Sequence, residues 1–128
     1  MILMDTDVMV DVVRRYPPAV EWLQSLGSAE IALPGFVVME LIEGCRNKSE
    51  HRRVERIVKP FEIVWPSEHT CEKALSVFVD HYLRHGLGIL DVIIGQTAAD
   101  LGVQLVTFNR KHYSPIPGLE TAQPYVRL

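Results

Sequence analysis

MILMDTDVMV, residues 1–10, places Asp5 and Asp7 one residue apart inside an otherwise apolar run. MILM reads as a short buried strand. Thr6 or Asp7 reads as the cap of a helix that carries Val8, Val10, Val12 and Val13 until Tyr16 and Pro17 stop it. The chain therefore opens strand, acidic turn, helix. One helix cap explains one aspartate. With Asp7 as the cap, Asp5 ends a buried strand without a structural task, where an unpaired carboxylate is costly unless it meets a partner or a metal.

The same alternation continues outward from this opening. Pro18 starts a second helix through Trp22, Leu23 and Leu26 that Gly27 closes, and EIAL (30–33) is a second strand. Pro34 and Gly35 introduce FVVMELIEGC (36–45), whose Val37, Val38, Leu41, Ile42 and Cys45 repeat with helical spacing. A basic helix from about Asn47 to Lys59 ends near Pro60, and FEIVW (61–65) is the next strand. Ser67, with Glu68 and Thr70, caps a long amphipathic helix using Ala74, Leu75, Phe78, Val79 and Tyr82, stopped at Gly86 and Gly88. ILDVIIGQTAADLG (89–102) reads as a buried helix, VQLVTF (103–108) as the strand after it, and Glu120 to Gln123 as an edge strand. Strands alternating with helices predict an α/β fold: three layers, α/β/α, around a mainly parallel sheet of four to five strands, in a single domain over 1–128. Ligands of such sheets sit beyond the carboxyl ends of strands, where the winding reverses.

Size and composition agree with this. The 128 residues suffice for one core, and 48% apolar with 23% charged residues is ordinary for a soluble globular chain. Cys45 and Cys71 lack CxxC spacing, so they read as thiols of a reducing cytosol rather than a zinc site or disulfide framework. The apolar N-terminus has neither a basic leader nor a small-residue cleavage site, and no run is long enough to span a bilayer, so a cytoplasmic protein is expected. A net charge of −3 does not suggest a protein that coats nucleic acid non-specifically. It leaves room for a local basic surface: Arg46, Lys48, Arg52, Arg53, Arg56 and Lys59 are diluted only by Glu50 and Glu55.

Four further positions carry oxygen or nitrogen donors at informative places. Glu40 flanks the apolar stripe of its helix, whereas Glu43 points away from it and reads as a solvated residue. Asp91 is surrounded by Ile89, Leu90, Val92, Ile93 and Ile94, so it is either the N-cap of its helix or a carboxylate facing a cleft. Asn109 follows the strand that ends in TFN and should emerge on the same sheet edge as Asp5; alone, it is a turn former or a cap. His112 is open between ligand, RNA contact and surface residue. Taken jointly, oxygen donors at strand exits and on the helix behind them suit Mg²⁺ or Mn²⁺, while no His/Cys spacing suits zinc.

With Asp5, Glu40, Asp91 and Asn109 in hand, the sequence resembles the PIN-domain family, most closely the VapC-type toxin ribonucleases of prokaryotic toxin–antitoxin pairs. The stretches that carry the resemblance are ILMDTDVMVDV, VVMELIEGC and GILDVIIGQTAADLGVQLVTFN, in matching order over nearly the whole chain. The resemblance implies an endoribonuclease with Asp5, Glu40 and Asp91 as catalytic and metal-binding carboxylates and Asn109 as a fourth ligand. It implies supporting roles for Thr6, Thr107 and His112, and Mg²⁺ or Mn²⁺ as cofactor. Arg46, Arg52, Arg53, Arg56, Arg110 and Lys111 would guide RNA phosphates to an otherwise acidic pocket. The implied partners are RNA, a cognate antitoxin that covers the site and a second copy of the chain, with no membrane. The family often has an acidic residue where this chain runs into TFNRKHY, so the resemblance also implies activity that rests on one tight metal or is weak. Two rivals stay open: a haloacid-dehalogenase-like phosphatase, whose opening DTDVM resembles, and a PIN-like RNA- or protein-binding module with a depleted site.

Overall fold

The computed structural model describes residues 1–27 and 30–128. Five short strands form one sheet: β1 (Ile2–Met4), β2 (Ile31–Pro34), β3 (Glu62–Val64), β4 (Gln104–Val106) and β5 (Thr121–Ala122). Their order is β3-β2-β1-β4-β5 and every pairing is parallel, as the alternation of strands and helices predicts. In register, Leu3 lies between Ala32 of β2 and Leu105 of β4. Because β1 is central, the chain first winds outward through β2 and β3, then crosses back past β1 to β4. The winding therefore reverses between β1 and β4, which opens a crevice beyond their carboxyl ends. Asp5 follows β1 and Thr107 follows β4 at that point.

Crossovers between parallel strands are right-handed as a rule, so this reversal divides the connecting helices into two sets. The outward set is α1 (Thr6–Val13), α2 (Pro17–Ser25), α3 (Gly35–Glu43) and α4 (Lys48–Val58); the returning set is α5 (Glu68–His85) and α6 (Ile89–Leu101). A one-turn helix, α7 (Arg110–Tyr113), separates β4 from β5. The strands read as continuous apolar runs because both faces are covered: Leu3, Met4, Ala32, Leu33, Leu105 and Val106 are buried with Val8, Met9, Val37, Ile94 and Ala98 from the helices. Ser67 and Asn47 cap α5 and α4 through their side chains, and Gly86 and Gly102 end α5 and α6 in left-handed conformation.

Three local expectations are corrected. The cap of α1 is neither Thr6 nor Asp7 but Asp5, whose carboxylate accepts the Thr6 amide. Asp91 is not the cap of α6; Gly88 is, and Asp91 stands two residues inside the helix in its first turn. Pro17 rather than Pro18 opens α2. In each case the apolar periodicity located the helix, while the first residue depended on a backbone dihedral that periodicity does not encode.

Candidate active site

At the crevice, Asp5 is 7% exposed and uses both oxygens. Oδ1 accepts the Thr6 amide at 2.8 Å, and Oδ2 accepts the Thr107 hydroxyl at 2.8 Å. The Thr107 hydroxyl has one proton to donate, and its oxygen in turn accepts the Asn109 amide at 3.0 Å, so the end of β4 is tied to the end of β1 by a directed chain of bonds. Burial, and next the charge of Asp7, push the Asp5 carboxyl up to about 6 despite the bonds from Thr107 and Thr6.

Asp7 is a latch rather than a cap. Its Oδ2 accepts the Phe108 amide at 3.0 Å, its Oδ1 is buried without a partner, and burial raises its carboxyl above the usual range. Sequence reasoning missed this role, because the partner lies a hundred residues along the chain.

Glu40 and Asp91 join the crevice through hydroxyl groups. The Thr6 hydroxyl donates to Glu40 Oε1 at 2.7 Å, so Thr6 links the amide bonded by Asp5 to the carboxylate of α3. Tyr113, only 1% exposed, brings its hydroxyl to 3.5 Å from Asp91 Oδ1, in the field of both Asp91 and Asp5. Burial and the charges of Asp5 and Asp91 push its phenol far above the ordinary range, so it remains a neutral donor. His112 Nε2 closes the series, 2.8 Å from Asp91 Oδ2. The packing that permits this is local: Gly95 lies one turn beyond Asp91 on α6, and a side chain there would run into Ile116 and Tyr113. Tyr113 was not foreseen. Its signal was weak, a buried tyrosine needing a hydroxyl partner in a segment with no periodicity.

Among the described residues, no three His, Cys, Asp or Glu side chains form a ready-made set of metal ligands. Asp5, Glu40 and Asp91 are linked through Thr6 and Tyr113 rather than converging oxygen to oxygen. Asn109 is exposed at the start of α7, and its side chain caps nothing; His112, not Asn109, stands against Asp91. The donor chemistry nevertheless fits a hard divalent cation. No lysine or arginine side chain hydrogen-bonds Asp5, Glu40 or Asp91 among the described residues, and Mg²⁺ typically uses one or two carboxylates, waters and substrate phosphate.

The basic residues divide into two groups. Arg53 turns inward and donates to the Val13 carbonyl, lining a groove of about 510 Å³ together with Arg14, Arg46 and Glu40. Arg46 also pairs with Glu50 at 3.0 Å. Arg52, Arg56, Arg110 and Lys111 are exposed.

The chain is similar to several known proteins. A family model for the PIN domain matches residues 2–115. A curated relative, Ribonuclease VapC10 of Mycobacterium tuberculosis, is 30% identical over 126 residues, covering 97% of this chain and 92% of the relative. A toxin–antitoxin complex from Klebsiella pneumoniae contains a chain of similar fold, with a TM-score of 0.78 at 24% identity and 98% of both chains covered. VapBC2 from Rickettsia felis, bound to a DNA fragment from its promoter, gives a TM-score of 0.78 at 23% identity, covering 96% of this chain and 98% of that one.

Proposed function

The chain belongs to the PIN domain family, and from that premise we propose that it is a metal-dependent endoribonuclease toxin, acting on RNA phosphodiester bonds. The observation that carries this reading is the buried Asp5 carboxylate at the reversal point of the sheet, tied through Thr6 to Glu40, with Asp91 held nearby against the Tyr113 hydroxyl and His112. The name of the VapC10 relative supports the same substrate class.

Asp5 and Asp91 would hold Mg²⁺ or Mn²⁺, with Glu40 facing it from α3. When bound, such an ion supplies charge neutralisation and orients a water against the scissile phosphate. The chain itself does the rest. Thr107 and the Thr6 amide fix the Asp5 carboxylate, the Thr6 hydroxyl fixes Glu40, and Tyr113 sets a hydroxyl against Asp91 without adding charge. Arg46, in the groove that Glu40 also lines, offers a phosphate contact beside the carboxylates, whereas Arg53 is held inward on the Val13 carbonyl. Arg52, Arg56, Arg110 and Lys111 extend the cationic surface around it.

Asp7 cannot readily serve as the proton carrier that a dehalogenase-like phosphatase would require, because one oxygen is committed to the Phe108 amide and the other is buried. The proposed protein partners are a cognate antitoxin and a second copy of the chain. For self-association, α5 presents Leu75, Val79, Tyr82 and Leu83 to solvent, each at least half exposed. No helix of the described residues is long and apolar enough to cross a membrane, and a cytoplasmic location follows from the proposed substrate.

The test is cleavage of a mixed RNA pool by purified protein with Mn²⁺ or with EDTA. Asp5→Asn and Asp91→Asn should each abolish cleavage with circular dichroism unchanged, and Glu40→Gln should come close. A rate that survives either aspartate change, or survives EDTA, contradicts the proposal.

A further inference from the structure

We propose that the His112 imidazole is a direct metal ligand beside Asp91, which makes this a mixed nitrogen–oxygen site that takes Mn²⁺ or another first-row divalent ion in preference to Mg²⁺. The inference rests on the metal site proposed above and adds a ligand to it.

Three observations carry it. The first is spacing: Nε2 lies 2.8 Å from Asp91 Oδ2. Two ligands at adjacent corners of an octahedron, each about 2.1 Å from the ion, are separated by about 3 Å. The two atoms thus need little movement to share a cation. The second is placement. His112 precedes Tyr113, which is buried against Gly95 of α6 with its hydroxyl 3.5 Å from Asp91 Oδ1. The imidazole is thereby held at the mouth of the crevice, with 22% of its side chain exposed against 34% for Asp91. A ring so anchored loses little further freedom on binding. The third is the donor count: among the described residues no three His, Cys, Asp or Glu side chains form a ready-made set, so the directly paired Asp91 and His112 are two donors at the crevice that already lie within contact of each other. A neutral nitrogen at this position adds a donor without adding to the mutual repulsion of the acids.

The chemistry then decides the metal. Imidazole is a softer donor than carboxylate or water and is a poor ligand for Mg²⁺, while first-row transition ions accept it readily. In the ligated state the Nε2 lone pair faces the ion and the one ring proton of the neutral imidazole sits on Nδ1. The hydrogen bond from His112 to Asp91 is exchanged for two bonds to the same cation.

The experiment uses the purified full chain without RNA and Mn²⁺ as the probe. Pulsed electron paramagnetic resonance of bound Mn²⁺ should show modulation from a directly bonded ¹⁴N, and that modulation should vanish in His112→Ala and His112→Asp. Competition between Mn²⁺ and Mg²⁺ should show the Mn²⁺ preference falling about tenfold in His112→Ala, a shift on the scale of losing one well-placed group at a metal site. In His112→Asp, Mg²⁺ binding should tighten. Mn²⁺ bound with no nitrogen signal, but lost in Asp91→Asn, overturns the ligand assignment and leaves the metal site standing. No Mn²⁺ binding to the unaltered chain overturns both. Circular dichroism of the two variants separates a lost ligand from a lost fold.

Discussion

Asp5 performs three tasks with one carboxylate: it caps α1, it ties β1 to β4 through Thr107, and it provides the deepest acidic oxygen of the crevice. The combination has a measurable cost. Its carboxyl is raised from 3.8 to about 6, so in this interval the folded chain binds a proton that the unfolded chain releases. The stabilisation is therefore complete below about 3.8 and is lost as pH rises through about 6. Asp7, raised by its own burial, acts in the same direction. In metal-free buffer, Asp5→Asn should be more stable than the unaltered chain at neutral pH, by up to about 2–3 kcal/mol. The difference should shrink towards about pH 4, because asparagine caps as well as aspartate and carries no charge at any pH. Urea unfolding of both proteins across that range measures it, and Mn²⁺ should narrow the gap at neutral pH by stabilising only the aspartate form. A pH-independent difference would mean that the Asp5 charge is already compensated inside the protein.

Elements matter here for the angle at which they deliver a side chain. Helix α6 brings Asp91 to the crevice and, one turn later, presents Gly95 as a flat surface on which Tyr113 and Ile116 lie. Glycine in a helix interior ordinarily costs about 0.5–1 kcal/mol relative to alanine. At this position that rule should invert. Gly95→Ala places a methyl group into Ile116 and against Tyr113, so a loss of roughly 1–3 kcal/mol is expected from overpacking. The displacement would also carry His112 away from Asp91. Thermal unfolding reads the first effect, and Mn²⁺ affinity the second. Helix α3 shows the same device at its start, where Gly35 receives the Trp65 ring and leaves the indole edge-on to Phe36, with centroids 5.5 Å apart. Neither glycine reveals this in the sequence, since the function of each is the absence of a Cβ facing a side chain distant along the chain.

At the scale of the whole molecule, the last residues of the chain fold back onto α1 and the segment that follows β4. Arg127 bonds the Asp7 carbonyl at 3.2 Å and the Asp11 carboxylate at 3.1 Å while lying over Phe108, and Tyr125 donates to Asp11 at 2.7 Å. This clasp lies outside the span 2–115 matched by the family model, yet it packs on the Phe108 segment that Asp7 latches. The apolar row of α5 is left open to solvent among the described residues: Leu83 is 85% exposed, Val79 66% and Leu75 62%. If α5 forms the surface between two copies, Leu83→Glu should convert the dimer to monomer in sedimentation velocity without altering the metal-site spectra. An unaltered chain that sediments as a monomer at every concentration would remove α5 from that role.

The sequence by itself determined the succession of strands and helices, the parallel sheet and the identities of the acidic residues, because apolar periodicity, caps and glycine stops act over a few residues. It also located Asp5, Glu40 and Asp91 near one sheet edge, since strand polarity in a parallel sheet leaves few places for residues that follow the strands. Only the tertiary structure decided how those acids meet: through Thr6 and Tyr113 rather than directly, with Asp7 turned to Phe108 and His112, not Asn109, against Asp91. These bonds join residues as much as a hundred positions apart. Their existence depends on rotamers and on the seating of Tyr113 against Gly95, to differences of about an ångström that no local pattern of residues can specify.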